Sequence, residues 1–454
     1  MRRATQVAVL WVLMLTASGA LAFPLPEPPD AGTPGTPAGV ESDRPEQSPS
    51  PDGGAPSIAE EATKSEEPEP PTTEEKPQEI PGALIDPDLT GIVVRTGQAT
   101  EEDLKRGYVT FRGRIKVDLN YDFRPIGNEE DFVPASIPVG SRLRGPNLNF
   151  NAKQSRLFFE GGKLSLLGPL IGHVSADFYG EGSSGGDFRV YEVYASVGPF
   201  LTGRKWSTFM GLEAIPDTLD FQGPGSMLAA RREMLRYGPT LGPLLVQVSL
   251  ERPEPDLTLL DDEEEAMRTP LPDVSGALEW DFGEGRNVRA AGLARWLSYY
   301  ELGGGLEDTV TGWGLMVNGL WTWQRTGWRA SAQVHYGKGI GSYIGDLAGQ
   351  GLDAVLVAPG RLETVSSFGF YVGLEPQWTE WLASTFVYGY LDVSPPASLP
   401  GTTLERTHYL SGNLKARPMR SFELGTELLF GRRQNQDGRA DNALRLILST
   451  RFFY

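Results

Sequence analysis

The chain has 454 residues, 22% of them charged, a net charge of −18 and no cysteine. Disulfide frameworks and cysteine metal sites are therefore excluded, and without a basic stripe or an aromatic–basic motif a nucleic-acid partner is not expected. The acidity is local: residues 23–104 carry 19 acidic and 4 basic side chains, a net of −15, against a net of −5 over residues 105–454.

Residues 1–22 read as a secretory signal peptide: Arg2 and Arg3 give the positive start, Val7 to Leu15 the apolar core, and Ala20-Leu-Ala22 the cleavage site. With no cysteine after it, a lipid anchor on the new N-terminus is not expected. Residues 23–85 are rich in Pro, Glu, Ser, Thr and Gly and lack the large apolar side chains that would offset the entropy of ordering them. The expectation is a disordered, acidic, Pro-rich periplasmic linker over 23–104. Within it, Ile92 to Val94 reads as a short strand and Glu101 to Lys105 as one helical turn.

From residue 107 the pattern changes to period two. Thr110, Arg112, Arg114, Lys116, Asp118, Asn120 and Asp122 fall on one face, and Val109, Phe111, Ile115, Val117, Leu119, Tyr121 and Phe123 on the other. A wet lumen behind a lipid-facing wall fits this pattern, and so does one sheet of a soluble sandwich; the number of strands decides. Sixteen alternating runs follow, near 107–123, 152–165, 169–180, 187–198, 201–210, 227–237, 243–251, 273–283, 287–299, 311–325, 327–338, 364–376, 378–390, 405–417, 419–433 and 442–454. An even number closes an antiparallel barrel without an open edge, as a bilayer requires. Tight turns around Gly198-Pro199, Gly238-Pro239, Gly283 to Arg286, Thr326-Gly327, Pro376 and Pro418 alternate with long connections at 124–151, 211–226, 252–272, 339–363 and 391–404. The fold class is thus all-β: a 16-stranded transmembrane antiparallel β-barrel over 105–454, in the outer membrane of a Gram-negative cell, with lipid and lipopolysaccharide around it. The short turns and both termini face the periplasm. Trp and Tyr gather toward strand ends, as in aromatic girdles. In the last run, Leu444, Leu446, Leu448, Thr450, Phe452 and Tyr454 share the lipid face, and its aromatic end suits recognition by the barrel-insertion machinery.

No catalytic site, metal or cofactor is assigned. His173, His335 and His408 are far apart, and the glycine-flanked nucleophile, P-loop and dinucleotide motifs are absent. What remains is inward charge. Alternation points Arg112, Arg114, Lys116, Arg156, Arg204, Arg232, Arg236, Arg289, Arg295, Lys415, Arg445 and Arg451 into the lumen, with Asp118, Glu160, Glu192, Glu251, Glu423 and Glu427. At closure the first and last strands would join Arg112, Arg114 and Lys116 to Arg445 and Arg451 in one basic wall, which favours anions. The competing role is internal: these arginines pair with wall carboxylates and hold loops. Loop 211–226 mixes apolar Leu212, Ile215, Leu219 and Phe221 with Glu213, Asp217 and Asp220, which predicts an inward fold that narrows the lumen. Loop 124–151 has similar anchors in Phe132 to Pro138.

Several ordered segments resemble the DcaP-like family of trimeric outer-membrane porins: Lys116 to Phe123, Asp131-Phe-Val-Pro-Ala-Ser-Ile-Pro138, Ala152-Lys-Gln-Ser-Arg-Leu-Phe-Phe-Glu160, Trp206 to Met210, and Leu219-Asp-Phe-Gln-Gly-Pro-Gly225. Arg231-Arg232, Leu235-Arg-Tyr237, Tyr336 to Tyr343, Asp346-Leu347, Asp353-Ala354 and Gly431-Arg-Arg433 extend the likeness. The resemblance implies a homotrimer taking up small, often anionic solutes such as dicarboxylates, with Arg112, Arg114, Arg156, Arg232, Arg236 and Arg433 as eyelet arginines. One departure stands out: residues 23–85 carry no apolar heptads for the N-terminal coiled coil common in that family. The alternative reading is a structural or adhesive envelope protein with a plugged barrel and a partner-binding linker or loops.

Overall fold

The computed structural model describes residues 93–95, 101–141, 145–180, 186–260, 265–302 and 304–454. The expected signal peptide and the body of the linker lie outside the described residues. A short strand, Val93–Arg95, pairs in parallel with Tyr108–Thr110, and a helix, Glu101–Arg106, joins the two.

The wall consists of β1 (Tyr108–Arg124), β2 (Arg156–Ser165), β3 (Gly168–Gly180), β4 (Asp187–Val197), β5 (Phe200–Trp206), β6 (Arg231–Tyr237), β7 (Leu244–Glu251) and β8 (Asp273–Gly283). It continues with β9 (Arg286–Glu301), β10 (Glu307–Trp323), β11 (Trp328–Lys338), β12 (Ser366–Glu375), β13 (Leu382–Ser394), β14 (Leu404–Met419), β15 (Phe422–Asn435) and β16 (Ala440–Phe453). Each pairs antiparallel with its neighbour in sequence, and β1 pairs with β16 from Arg114↔Phe453 to Arg124↔Leu444, which closes the ring. Turns as short as two residues, such as Glu284-Gly285, lie on the side of Tyr108 and Phe453. The long connections, 125–155, 207–230, 252–272 and 339–365, lie on the other side.

Two strands are shorter than their sequence pattern. The runs expected at 201–210 and 227–237 shrink to Phe200–Trp206 and Arg231–Tyr237 because the chain leaves the wall at Ser207 and turns inward. At the seam, Gly113 N–H donates to Tyr454 O at 3.0 Å, and the Tyr454 ring lies over Gly113. A Cβ at Gly113 would come within 2.2 Å of that ring, so any side chain there would push the end of Tyr454 aside.

Burial is inverted relative to a water-soluble sheet. Outward Phe111, Ile115 and Val117 are exposed, while inward Lys116, Asp118 and Asn120 are buried. An apolar exposed face around a polar interior is the arrangement lipid demands. Leu315 on β10 is among the exposed apolar residues. Leu315 is the central residue of β10 (Glu307–Trp323), and Leu315→Arg is expected to destabilise the barrel by roughly 2–4 kcal/mol, read from denaturant unfolding in lipid vesicles.

The apolar core sits inside the lumen, between loops and wall. Phe209 and Leu228 of loop 207–230 pack with Tyr343, Ile344 and Leu347 of loop 339–365, and with Tyr371 and Leu391 of β12 and β13. Phe132 and Ile137 of loop 125–155 pack with Leu219, Tyr409, Leu429 and Ile447. The inward fold expected of loop 211–226 is therefore present. Gly389 makes room for it: a Cβ there would meet Gly225 O at 2.5 Å.

Candidate functional site: the lumen and its inward-folded loop

Loop 207–230 crosses the lumen and is fastened to β13–β16. Thr385 Oγ1 and Asn413 Nδ2 donate to Asp217 O at 2.9 and 3.1 Å. The Asp217 carboxylate pairs with Lys415 at 2.5 Å and lies 3.6 Å from Arg451. The next turn is pinned from the wall: Glu427 Oε2 accepts from the backbone N–H groups of Leu219 and Asp220 at 2.5 and 2.9 Å. Asp220 in turn accepts from Phe132 N–H at 3.1 Å, which ties the loop to 125–155. Phe221 stacks on Tyr179 with ring centroids 4.6 Å apart. Glu213 is exposed near the start of the loop.

This seating makes the lumen lopsided. Inward side chains of β9–β16 at the level of the loops are buried beneath them, for example Arg295, Tyr371, Tyr409, Glu427 and Arg445. On β1–β7, Arg112, Arg114, Phe158, Glu160, Glu192, Tyr194, Lys205, Arg236 and Gln247 keep partial exposure. Cations and rings interleave on this open side. Arg156 lies 3.3 Å over the Tyr191 ring, Lys205 3.8 Å over Tyr194, and Arg112 5.9 Å over Phe158.

Register brings the predicted basic residues of the seam together in part. Arg114 is paired with Arg156 across β1–β2, and Lys116 with Arg451 across β1–β16. Arg112 is 4.0 Å from Glu160, and Arg156 is 3.7 Å from Asp177. Lys116 is buried and held by Asp118 at 2.8 Å, by Gln154 and by Leu219 O. Arg451 is 3.2 Å from Glu423 and donates to Thr218 O at 3.1 Å. Arg114 alone of these makes no ion pair among the described residues.

Other predicted eyelet residues sit elsewhere. Arg445 is fully buried, paired with Asp122 at 2.6 and 2.9 Å and donating to Asn128 O and Glu129 O, so it ties loop to seam and does not face open lumen. Arg232 pairs with Glu254 at 2.6 Å and donates to Ser342 O, an anchor for loop 339–365. Arg433 donates to Ala135 O and Thr402 O at the outer rim. Arg236 is inward, opposite Ser249 in register. Arg204 corrects the reading of alternation: it pairs with Glu233 at 2.8 Å and shares a face with the exposed Val193, so it points outward. A one-residue error of register moves every side chain of a strand to the other face. The sequence did not reveal Arg189, which pairs with Asp177 at 2.8 Å on the open side and lies 5.1 Å over Tyr179.

A closed sixteen-stranded ring with lipid-type polarity and an inward-folded loop defines a porin-type outer-membrane β-barrel, its strand ends at Tyr108 and Phe453 on the periplasmic side. Residues 97–242 match the family model described as DcaP outer membrane protein. The match covers 146 of the 454 residues, beginning just before the first wall strand and ending just after the sixth. The crystal structure of the outer membrane channel DcaP of Acinetobacter baumannii is similar over 79% of this chain and 100% of that one, with 22% identity and a TM-score of 0.68. The anion-selective porin from Comamonas acidovorans is similar over 77% of this chain and 100% of that one, with 12% identity and a TM-score of 0.49. No curated protein sequence matches.

Proposed function

We propose that the barrel is a passive channel for small hydrophilic solutes that favours anions, dicarboxylates among them. The observation that carries this reading is Arg114. It projects toward the open side of the lumen, has no carboxylate partner among the described residues, and is flanked by Arg156 and by the Lys116–Arg451 pair. Inward cations in a narrow aqueous path raise local anion concentration. Asp217 and Phe221 belong to the loop that narrows that path and lie beside the arginines, Asp217 3.6 Å from Arg451 and the Phe221 ring 6.0 Å from Arg156. Dicarboxylates fit two or more guanidinium groups spaced along one wall.

Planar-bilayer recordings in a salt gradient test this. Wild-type protein is expected to show open-channel steps and an anion-selective reversal potential. Arg114→Glu is expected to lower the chloride-over-potassium preference roughly tenfold. Absence of steps sinks the channel reading; a cation-selective wild type sinks the anion preference.

Three copies are expected to assemble. Strands β5, β6 and β7 span 7, 7 and 8 residues, fewer than the 9–11 or so that cross a bilayer. A neighbouring copy against this low stretch of wall would keep loop backbone away from lipid. Residues 1–22 serve export in this reading, and 23–104 form the periplasmic linker.

A further inference from the structure

Three carboxyl groups lie where loops meet around the constriction, and none forms an ion pair among the described residues. Asp131 of loop 125–155 accepts from Tyr179 Oη at 2.8 Å. Asp220 accepts from Phe132 N–H at 3.1 Å and from Tyr409 Oη at 3.4 Å. Asp346 of loop 339–365 accepts from Ser226 N–H at 3.3 Å, at the other end of loop 207–230. All three are buried. The constriction loop is thus held between two other loops by acids shielded from water.

The surrounding charges do not neutralise them. Asp131 faces Glu130, Asp220 and Tyr179, with Arg445 and Lys116 as its cations. Asp220 faces Asp131, Glu427 and Tyr409, again with Arg445. Arg445 and Lys116 are already committed to Asp122 and Asp118. Asp346 faces Thr407 and Tyr409 and has no cation beside it among the described residues.

We propose that protons taken up at Asp131, Asp220 and Asp346 seat loop 207–230 more firmly, so that the channel narrows as pH falls. Burial is the main reason that Asp131 and Asp346 each move from the ordinary 3.8 to about 6, and burial also raises Asp220. An acid with a raised pKa binds its proton more tightly in the seated state. Seating therefore gains from acidification between about pH 6 and pH 4, by about tenfold per pH unit for each such group, and the gain is absent above that window.

This inference rests on the channel reading only for its electrical readout. Conductance is expected to fall reversibly from pH 7.5 to 5 in the wild type. Asp131→Asn/Asp346→Asn, whose amides resemble the protonated acids, is expected to show the low level at pH 7.5 and little pH response. Amide hydrogen exchange over 209–226, compared at pH 7.5, gives a readout independent of conduction: at least tenfold slower exchange is expected in the double variant. Heat-modifiable gel mobility checks that both proteins are folded. A pH-independent wild type, or a folded variant whose exchange equals wild type, overturns the proposal. If no protein conducts but exchange slows as expected, the latch stands and the channel reading fails.

Discussion

Arg445→Met is expected to lower the stability of the barrel by about 3–5 kcal/mol, because it strands a buried charge. Arg445 and Asp122 are register partners across the seam where the first strand meets the last. The guanidinium is fully buried and bidentate to Asp122, and Nη2 also reaches Asn128 O and Glu129 O at 3.1 Å. Methionine preserves much of the volume and removes every donor. Asp122 would then remain ionised without a partner, or take up a proton at a cost. Asp122→Asn/Arg445→Met is expected to recover most of the loss, since an apolar or neutral replacement of both partners leaves no charge behind. Denaturant unfolding in vesicles measures both. A single variant as stable as wild type would show that the pair contributes nothing at the seam.

Arg295→Met is expected to act on the opposite wall, by a similar 3–5 kcal/mol or so, and to change conduction as well. Arg295 on β9 is fully buried, 2.9 Å from Asp353 and 3.3 Å from Asp273, and donates to Gly339 O and Ser342 Oγ. Asp353 accepts from Ser342 N–H and Asp256 N–H, so one guanidinium organises the root of loop 339–365 and its contact with 252–272. Without it two buried carboxylates face each other. Loop 339–365 is expected to lose its seat, and loop 207–230, which leans on it through Ser226 and Leu228, to loosen with it. Single-channel conductance should rise in folded protein. An unchanged conductance with lowered stability would assign Arg295 to folding alone.

The sheet was largely legible in the sequence because its signal is local. Alternation of apolar and polar residues in β1, or in β16 from Leu444 to Phe452, needs no knowledge of the partner strand. Loop 207–230 was legible for a related reason: Leu219 and Phe221 have no place in a solvated loop. What alternation could not supply was the fate of each inward charge. Arg114 and Arg445 look alike in the sequence, both inward on the seam strands. One has no acid partner among the described residues and the other is sealed beneath a loop, a difference set by Asp122 and by the carbonyl groups of Asn128 and Glu129. Arg204 failed for a nearer reason: β5 is short, and its register is defined by Val193 and Glu233 on its neighbours.

The lopsided filling of the lumen separates two quantities that strand number is often taken to link. Sixteen strands set the circumference, but the bore is what three loops leave unfilled along β1–β7. Bore and charge can therefore change through a few residues such as Asp217, Lys415 and Arg114, with no change to the lipid-facing surface. Two barrels with the same number of strands can then differ in bore.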